Sequence, residues 1–132
     1  MDETRRCPWA RSEHEAAYHD NEWCRPCRDD KALFELLELE GFQAGLTWRL
    51  ILERRQALNA AFAGFDPAVL ANWGEAEIAA ALAAPGVIKN RSKARCAVTN
   101  ARAFLKVREE WGSFAAYLWH WVDGVPVDHR LE

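Results

Sequence analysis

The stretch "DDKALFELLELEGFQAGLTW", Asp29 to Trp48, decides how this chain is read. Two aspartates offer a helix cap, and "KALFELLELE" follows with apolar residues at three- and four-residue spacing. Leu33, Leu36, Leu37 and Ala44 fall on one helix face, and Glu40 falls on the same face. Gly41 and Gly45 loosen the chain, Thr47 can cap again, and Trp48 opens "WRLILERRQALNAAFA". Cap, helix, elbow, cap and helix within twenty residues make a helical fold. A carboxylate on an apolar face is costly unless it is paired or hydrogen-bonded. Glu40 is therefore explained by a salt bridge, by a helix emerging into solvent at Gly41, or by the floor of a pocket that Trp48 also faces.

The flanking sequence keeps to the same pattern. Ser12 and Glu15 form a capping box ahead of "EHEAAYHD". The second long helix presents Leu50, Ile51, Leu58, Ala61 and Phe62, and Gly64 is its stop. Asp66-Pro67 starts a short helix that runs to about Trp73, and another covers Glu75 to Ala83. Pro85-Gly86 breaks the chain. A long helix starts near Asn90 or Ser92, with Ala94, Ala97, Val98, Ala101, Phe104 and Leu105 on its buried face. Gly112 ends it, and Ser113 caps a last helix with Phe114, Tyr117, Leu118, Trp121 and Val122 in register. Alanine and leucine are abundant, β-branched residues are sparse, and no strand pattern stands out. The expected fold is all-α: a compact bundle of six or seven helices with a helix-hairpin-helix-like element.

The formal net charge of -3 does not announce a nucleic-acid binder. No apolar run has membrane-spanning length, and "MDETRRCPW" leads into no secretory h-region. The expectation is a cytoplasmic protein with no membrane partner, in which four cysteines serve as thiols or metal ligands. Seven tryptophans in 132 residues raise the prospect of an aromatic-lined cavity.

Two further groupings carry chemistry. "PGV" between helices, followed by Lys89, Arg91, Lys93 and Arg95, suits a phosphate held at a helix N-terminus, or else is an ordinary turn before a solvated basic face. The second glycine usual in such hairpins is missing around Lys89-Asn90. Cys7, His19, Cys24 and Cys27 offer a Cys₃His zinc set, with Cys24 and Cys27 at metal-ligand spacing. Cys24 and Cys27 read equally as ordinary thiols around Pro26.

"CPW" (Cys7–Trp9), "YHDNEW" (Tyr18–Trp23), "LEGFQAGLTW" (Leu39–Trp48), "FDP" (Phe65–Pro67), "GVIKNRSKARCAVTNARAFL" (Gly86–Leu105) and "YLWHWVDGVP" (Tyr117–Pro126) resemble the DNA-3-methyladenine glycosylase I family in order and spacing. The resemblance implies a base-excision repair enzyme of the helix-hairpin-helix superfamily, acting on 3-methyladenine in alkylated double-stranded DNA. Carried over residue by residue, Glu40 hydrogen-bonds the methylated base, Trp48 stacks on it, and Tyr18 and Trp9 complete the pocket. On the phosphate reading of the hairpin, Gly86, Lys89, Arg91 and Lys93 are the residues expected to face DNA. Glu15 stands where relatives often carry an aromatic. The family also holds a structural zinc whose first two ligands match Cys7 and His19.

By analogy with the fold, family members continue for roughly another third of this length and supply the other two zinc ligands there. The chain therefore reads as one domain, 1–132, truncated at its C-terminus, and His129 comes too early to fill the missing role. Such a chain should hold zinc weakly and expose apolar surface; full-length it would be a monomer. The alternative is an inactive helical DNA- or zinc-binding module of the same descent.

Overall fold

A computed structural model describes residues 5–130. Among them are seven α-helices and no strand: α1 Glu13–Asn21, α2 Asp30–Gln43, α3 Trp48–Ala61, α4 Pro67–Leu70, α5 Glu75–Ala83, α6 Arg91–Trp111 and α7 Phe114–His120, with a 3₁₀ turn at Ala63–Phe65. The starts are set by side chains that serve the first unpaired N–H groups. Ser12 Oγ accepts from Glu15 N at 3.1 Å while Glu15 Oε2 accepts from Ser12 N at 2.9 Å, which is why Glu15 is a cap and not a pocket residue. Asp29, Thr47, Asp66, Asn90 and Ser113 cap α2, α3, α4, α6 and α7. Asp30 also joins α2 to the start of α7, because its carboxylate accepts from Phe114 N at 3.0 Å and Ala115 N at 2.8 Å.

α6 packs against α2, α4, α5 and α7. Its buried stripe is mostly small (Ala94, Ala97, Val98, Ala101), so its neighbours approach closely, and Phe104 closes it against Phe34 and Phe114. Phe42, Phe62 and Phe65 fill the other end of the core. Phe65 keeps a left-handed backbone, φ 52°, although fully buried. Burial of a phenylalanine side chain stabilises by roughly 1.5–3 kcal/mol, enough to outweigh that strain.

Helix α2 corrects the reading of its faces. The core stripe is Phe34, Glu38, Leu39 and Phe42, not the Leu33–Leu37–Glu40 face. Leu37 is 46% exposed, and Glu40 is exposed as well. The buried carboxylate is Glu38, at 2% exposure. Both stripes are apolar enough to be buried; the large aromatic rings of Phe34 and Phe42 take the side facing α6 and the phenylalanine cluster. Helix α7 also departs from its expected register. Trp121 lies beyond its end at 67% exposure, and Leu118 is 38% exposed. Val125 and Val127 are exposed as well, and Leu118 lines a cavity of about 540 Å³ together with Pro26, Cys27, Leu33, Leu36, Trp119 and Val122 among others.

An ion cluster fixes α1 over the elbow. The Arg55 guanidinium on α3 donates to both Glu22 carboxylate oxygens (2.7 and 2.9 Å) and to Glu35 of α2. Glu22 caps the C-terminus of α1, so this contact sets where Tyr18 and Trp23 stand.

Candidate base-binding pocket and basic hairpin

The elbow after α2 is built locally. Gly45 takes φ +79°, Leu46 N donates to Gln43 O at 2.7 Å, and Gln43 Nε2 donates to Leu46 O at 2.7 Å. Thr47 then starts α3, and Trp48 is its first residue. The last turn of α2 and the first of α3 thus face one space, which Tyr18 of α1 covers with Trp9 and Trp23 from the segments on either side of α1. The result is a cavity of about 270 Å³ lined by Trp9, Tyr18, Trp23, Glu40, Gln43 and Trp48. That is near the lower end for ligand sites and suits one planar ring system.

Its walls are aromatic and its few polar groups converge. Tyr18 meets Trp48 at 5.4 Å between centroids and Trp9 at 6.3 Å, and Trp9 meets Trp23 edge-on at 5.2 Å. The half-buried Trp48 has an Nε1–H shielded from solvent with no acceptor among the described residues. Burial raises the Tyr18 phenol above its ordinary range, and the negative charge of Glu40 raises it further, so Tyr18 remains a donor at neutral pH. The larger apolar cavity has no such convergence of polar groups.

All four sequence-derived pocket residues, Glu40, Trp48, Tyr18 and Trp9, line this one cavity. Trp23 and Gln43 were missed. Both lie inside the motifs that marked the others, and Gln43 is one helical turn from Glu40, where a shared face is expected.

Cys7 and His19 also come together. Cys7 N–H donates to His19 Nε2 at 3.3 Å, and His19 Nδ1 contacts Asp20 at 3.0 Å. Asp20 is paired with Arg6 at 2.8 Å, and this pairing, reinforced by His19, holds its carboxyl down to about 2. With Nδ1 held by the Asp20 carboxylate, Nε2 is the unprotonated nitrogen; it accepts from Cys7 N–H here and is the atom that would face a zinc ion. The pair still supplies two donors, whereas a closed zinc site takes four. Among the described residues no group of three or more His, Cys, Asp or Glu side chains could hold a metal, which overturns the Cys₃His grouping. Cys24 is exposed at a left-handed turn, φ 57°, and Cys27 is drawn toward α7. Trp119 Nε1 donates to Cys27 O at 2.8 Å, and the Arg28 guanidinium lies 3.9 Å from the Trp119 ring centroid.

The hairpin joins α5 to α6 through Gly86. Its φ is +79°, a conformation that favours glycine, and a Cβ there would crowd α3 at 3.0 Å from Ala57 Cβ. Lys89 is exposed at the turn. Arg91 and Arg95 both pair with Glu75, at 3.1 and 3.0 Å, through side chains more than half exposed. Lys93 lies elsewhere: its Nζ donates to Phe42 O at 2.7 Å and Ala44 O at 2.6 Å.

Comparison with known proteins matches this arrangement. The family model for methyladenine glycosylase matches residues 9–132. DNA-3-methyladenine glycosylase 1 of Escherichia coli (strain K12) is 38% identical over 92% of this chain, and the chain spans 65% of that relative's length. The DNA-3-methyladenine glycosylase of Haemophilus influenzae is 37% identical over 94% of this chain, which spans 68% of its length. A crystal structure of a 3-methyladenine DNA glycosylase I variant in complex with 3-methyladenine superposes with a TM-score of 0.88 at 36% identity, over 92% of this chain and 65% of that one. A second glycosylase I structure gives 0.87 at 41% identity, over 92% and 68%. The elbow pocket, the hairpin and these matches lead to one conclusion: the chain belongs to the methyladenine glycosylase family.

Proposed function

We propose that this chain carries the base-binding and hydrolytic machinery of a DNA-3-methyladenine glycosylase, acting in base-excision repair on alkylated double-stranded DNA. The observation that carries the reading is the convergence of Trp9, Tyr18, Trp48 and Glu40 on one cavity the size of a base. An enzyme working on a base inside a duplex must take it out of the stack. A 3-alkylated adenine in DNA is cationic and its glycosidic bond is already weak, so the site needs to select more than to activate. Indole faces attract a cation. The Glu40 carboxylate accepts from the exocyclic amino group and is attracted by the ring charge. Neutral adenine gains less from either. Water adds at C1′ of the sugar as the base leaves with the bonding electrons, which neutralise it, and the proton lost by the added water passes to solvent.

The hairpin is the phosphate contact in this reading. Gly86 opens the turn, Lys89 is exposed, and Arg91 can exchange Glu75 for a phosphate because exposed ion pairs hold weakly. Within this reading α5, the turn and α6 form a helix-hairpin-helix, and the protein works as a cytoplasmic monomer. Zinc, if it is held, takes Cys7 and His19 as two of its ligands.

The test is release of 3-methyladenine from methylated duplex DNA. Glu40→Gln should lower release by about 10- to 100-fold, as a charged hydrogen bond is worth roughly 1.5–3 kcal/mol. Trp48→Ala should cost a similar factor through lost stacking, roughly 1–3 kcal/mol. Equal release by all three proteins would end the pocket reading.

A further inference from the structure

Lys93 stands in the first turn of α6, directly after the hairpin, where a cation would be expected to meet phosphate. A positive charge at that position gains nothing from its own helix, whose N-terminus is already positive. Its ammonium reaches a different helix end, donating to Phe42 O at 2.7 Å in a partly buried setting and to Ala44 O at 2.6 Å at the surface. Those carbonyls belong to the C-terminal turn of α2, where unpaired C=O groups and the negative end of the dipole call for a donor. The last turn of α2 has no basic residue of its own. Lys93 fills that role from about fifty residues away.

The two carbonyls bracket Gln43, and Glu40 lies in the same turn. Beyond Ala44, the Gln43–Leu46 bonds lead straight to Trp48. Gln43 therefore sits between the two carbonyls that one ammonium holds, with Glu40 two residues before them and Trp48 four residues after. At its other end, Lys93 N is capped by Asn90 Oδ1 at 3.0 Å, which fixes it to the hairpin.

We propose that Lys93 is a positioning residue, tying the hairpin to the pocket elbow and holding Glu40, Gln43 and Trp48 in register, and not a phosphate ligand. The inference rests on the base-pocket reading for its effect on ligand binding. Its structural half, the clamp on the elbow, stands apart from that reading.

The two roles separate by experiment. In Lys93→Met, affinity for free 3-methyladenine, read by tryptophan fluorescence, should fall by at least about tenfold. Affinity for undamaged duplex, and the slope of its log–log salt dependence, should stay unchanged. A phosphate ligand gives the reverse: intact base affinity and a salt slope reduced by about one. That result overturns the proposal. Lys93→Arg guards against a variant that unfolds. It keeps the charge, so duplex binding should hold, but a planar guanidinium does not replace a compact ammonium between two carbonyls, and base affinity should still fall. Full base affinity in Lys93→Arg overturns the proposal as well.

Amide hydrogen exchange provides the readout independent of ligand. Lys93→Met should accelerate exchange across residues 41–47 in the free protein, and unchanged protection there overturns the clamp. A wild-type chain indifferent to 3-methyladenine, with the elbow loosened in Lys93→Met, sinks the pocket reading and leaves Lys93 in its structural place.

Discussion

Two carboxylates of α2, Glu38 and Glu40, are separated by about 200° of helical rotation and meet opposite surroundings. Glu40 is exposed at a cavity whose other groups are aromatic rings, the Tyr18 hydroxyl and the Gln43 amide. Glu38 points into the core, 2% exposed, with Oε1 lacking a partner among the described residues and the Asn100 side chain of α6 beside the carboxyl. Burial pushes the Glu38 carboxyl up to about 7, with Asn100 pulling weakly the other way and no charged group contributing. The same side chain is thus a stability cost at one position and, in the function proposed above, a binding group at the other. What differs is whether it faces packed phenylalanines or an open, aromatic-walled space.

A pair of isosteric changes separates the two positions. The folded pKa of Glu38 lies above its unfolded value, so the folded state holds the proton longer as pH rises. Stability is therefore full below the unfolded value near 4.5, declines between there and about 7, and stays low above that. The interval corresponds to about 3 kcal/mol at most. Glu38→Gln, which cannot ionise, should match the wild type in urea midpoint at about pH 4 and exceed it at pH 8, with base release little changed. Glu40→Gln should do the opposite: release falls by about 10- to 100-fold, and the melt does not move. If Glu38→Gln brings no gain at high pH, the two carboxylates are not distinguished by burial.

The sequence already carried much of this architecture, because helix starts are local chemistry. Ser12, Asp29, Thr47, Asp66, Asn90 and Ser113 each serve N–H groups two or three residues on, and a short window contains everything needed to see it. The faces of α2 were not legible in the same way. Residues 33, 36, 37, 40 and 44 make one apolar stripe and 34, 38 and 42 another, and only the partners brought by distant segments decide which is covered. Cys24 and Cys27 have a zinc-like spacing, but Arg28 and Trp119 turn their loop toward α7, an interaction some ninety residues long. Lys93 reads as a DNA contact from its neighbours in sequence, whereas its destination lies on α2. The pocket was legible through whole motifs, which is also why Trp23 and Gln43, embedded in those motifs, did not stand out.

A third carboxylate sharpens the comparison at intermediate burial. Asp30 accepts two backbone N–H groups of α7 and so stabilises by capping. Asp30→Ala should cost about 1–2 kcal/mol, the usual loss for a removed cap. The loss should appear as earlier exchange in α7, with free-base affinity intact because α7 contributes no residue to the pocket lining.

Glu75 marks the exposed limit. It pairs with Arg91 and Arg95 through side chains largely in water, and its carboxyl is lowered by Arg95 first and Arg91 less. Pairs of this kind contribute little to folding, so Glu75→Gln should leave the urea midpoint in place. It does, however, release two guanidinium groups beside the hairpin. Duplex affinity should rise a few-fold at low salt and lose the gain at high salt, where exposed charges are screened. A shifted melt with unaltered DNA affinity would mean that Glu75 orders the start of α6, and the exposed carboxylate would then belong with Asp30 among the structural ones.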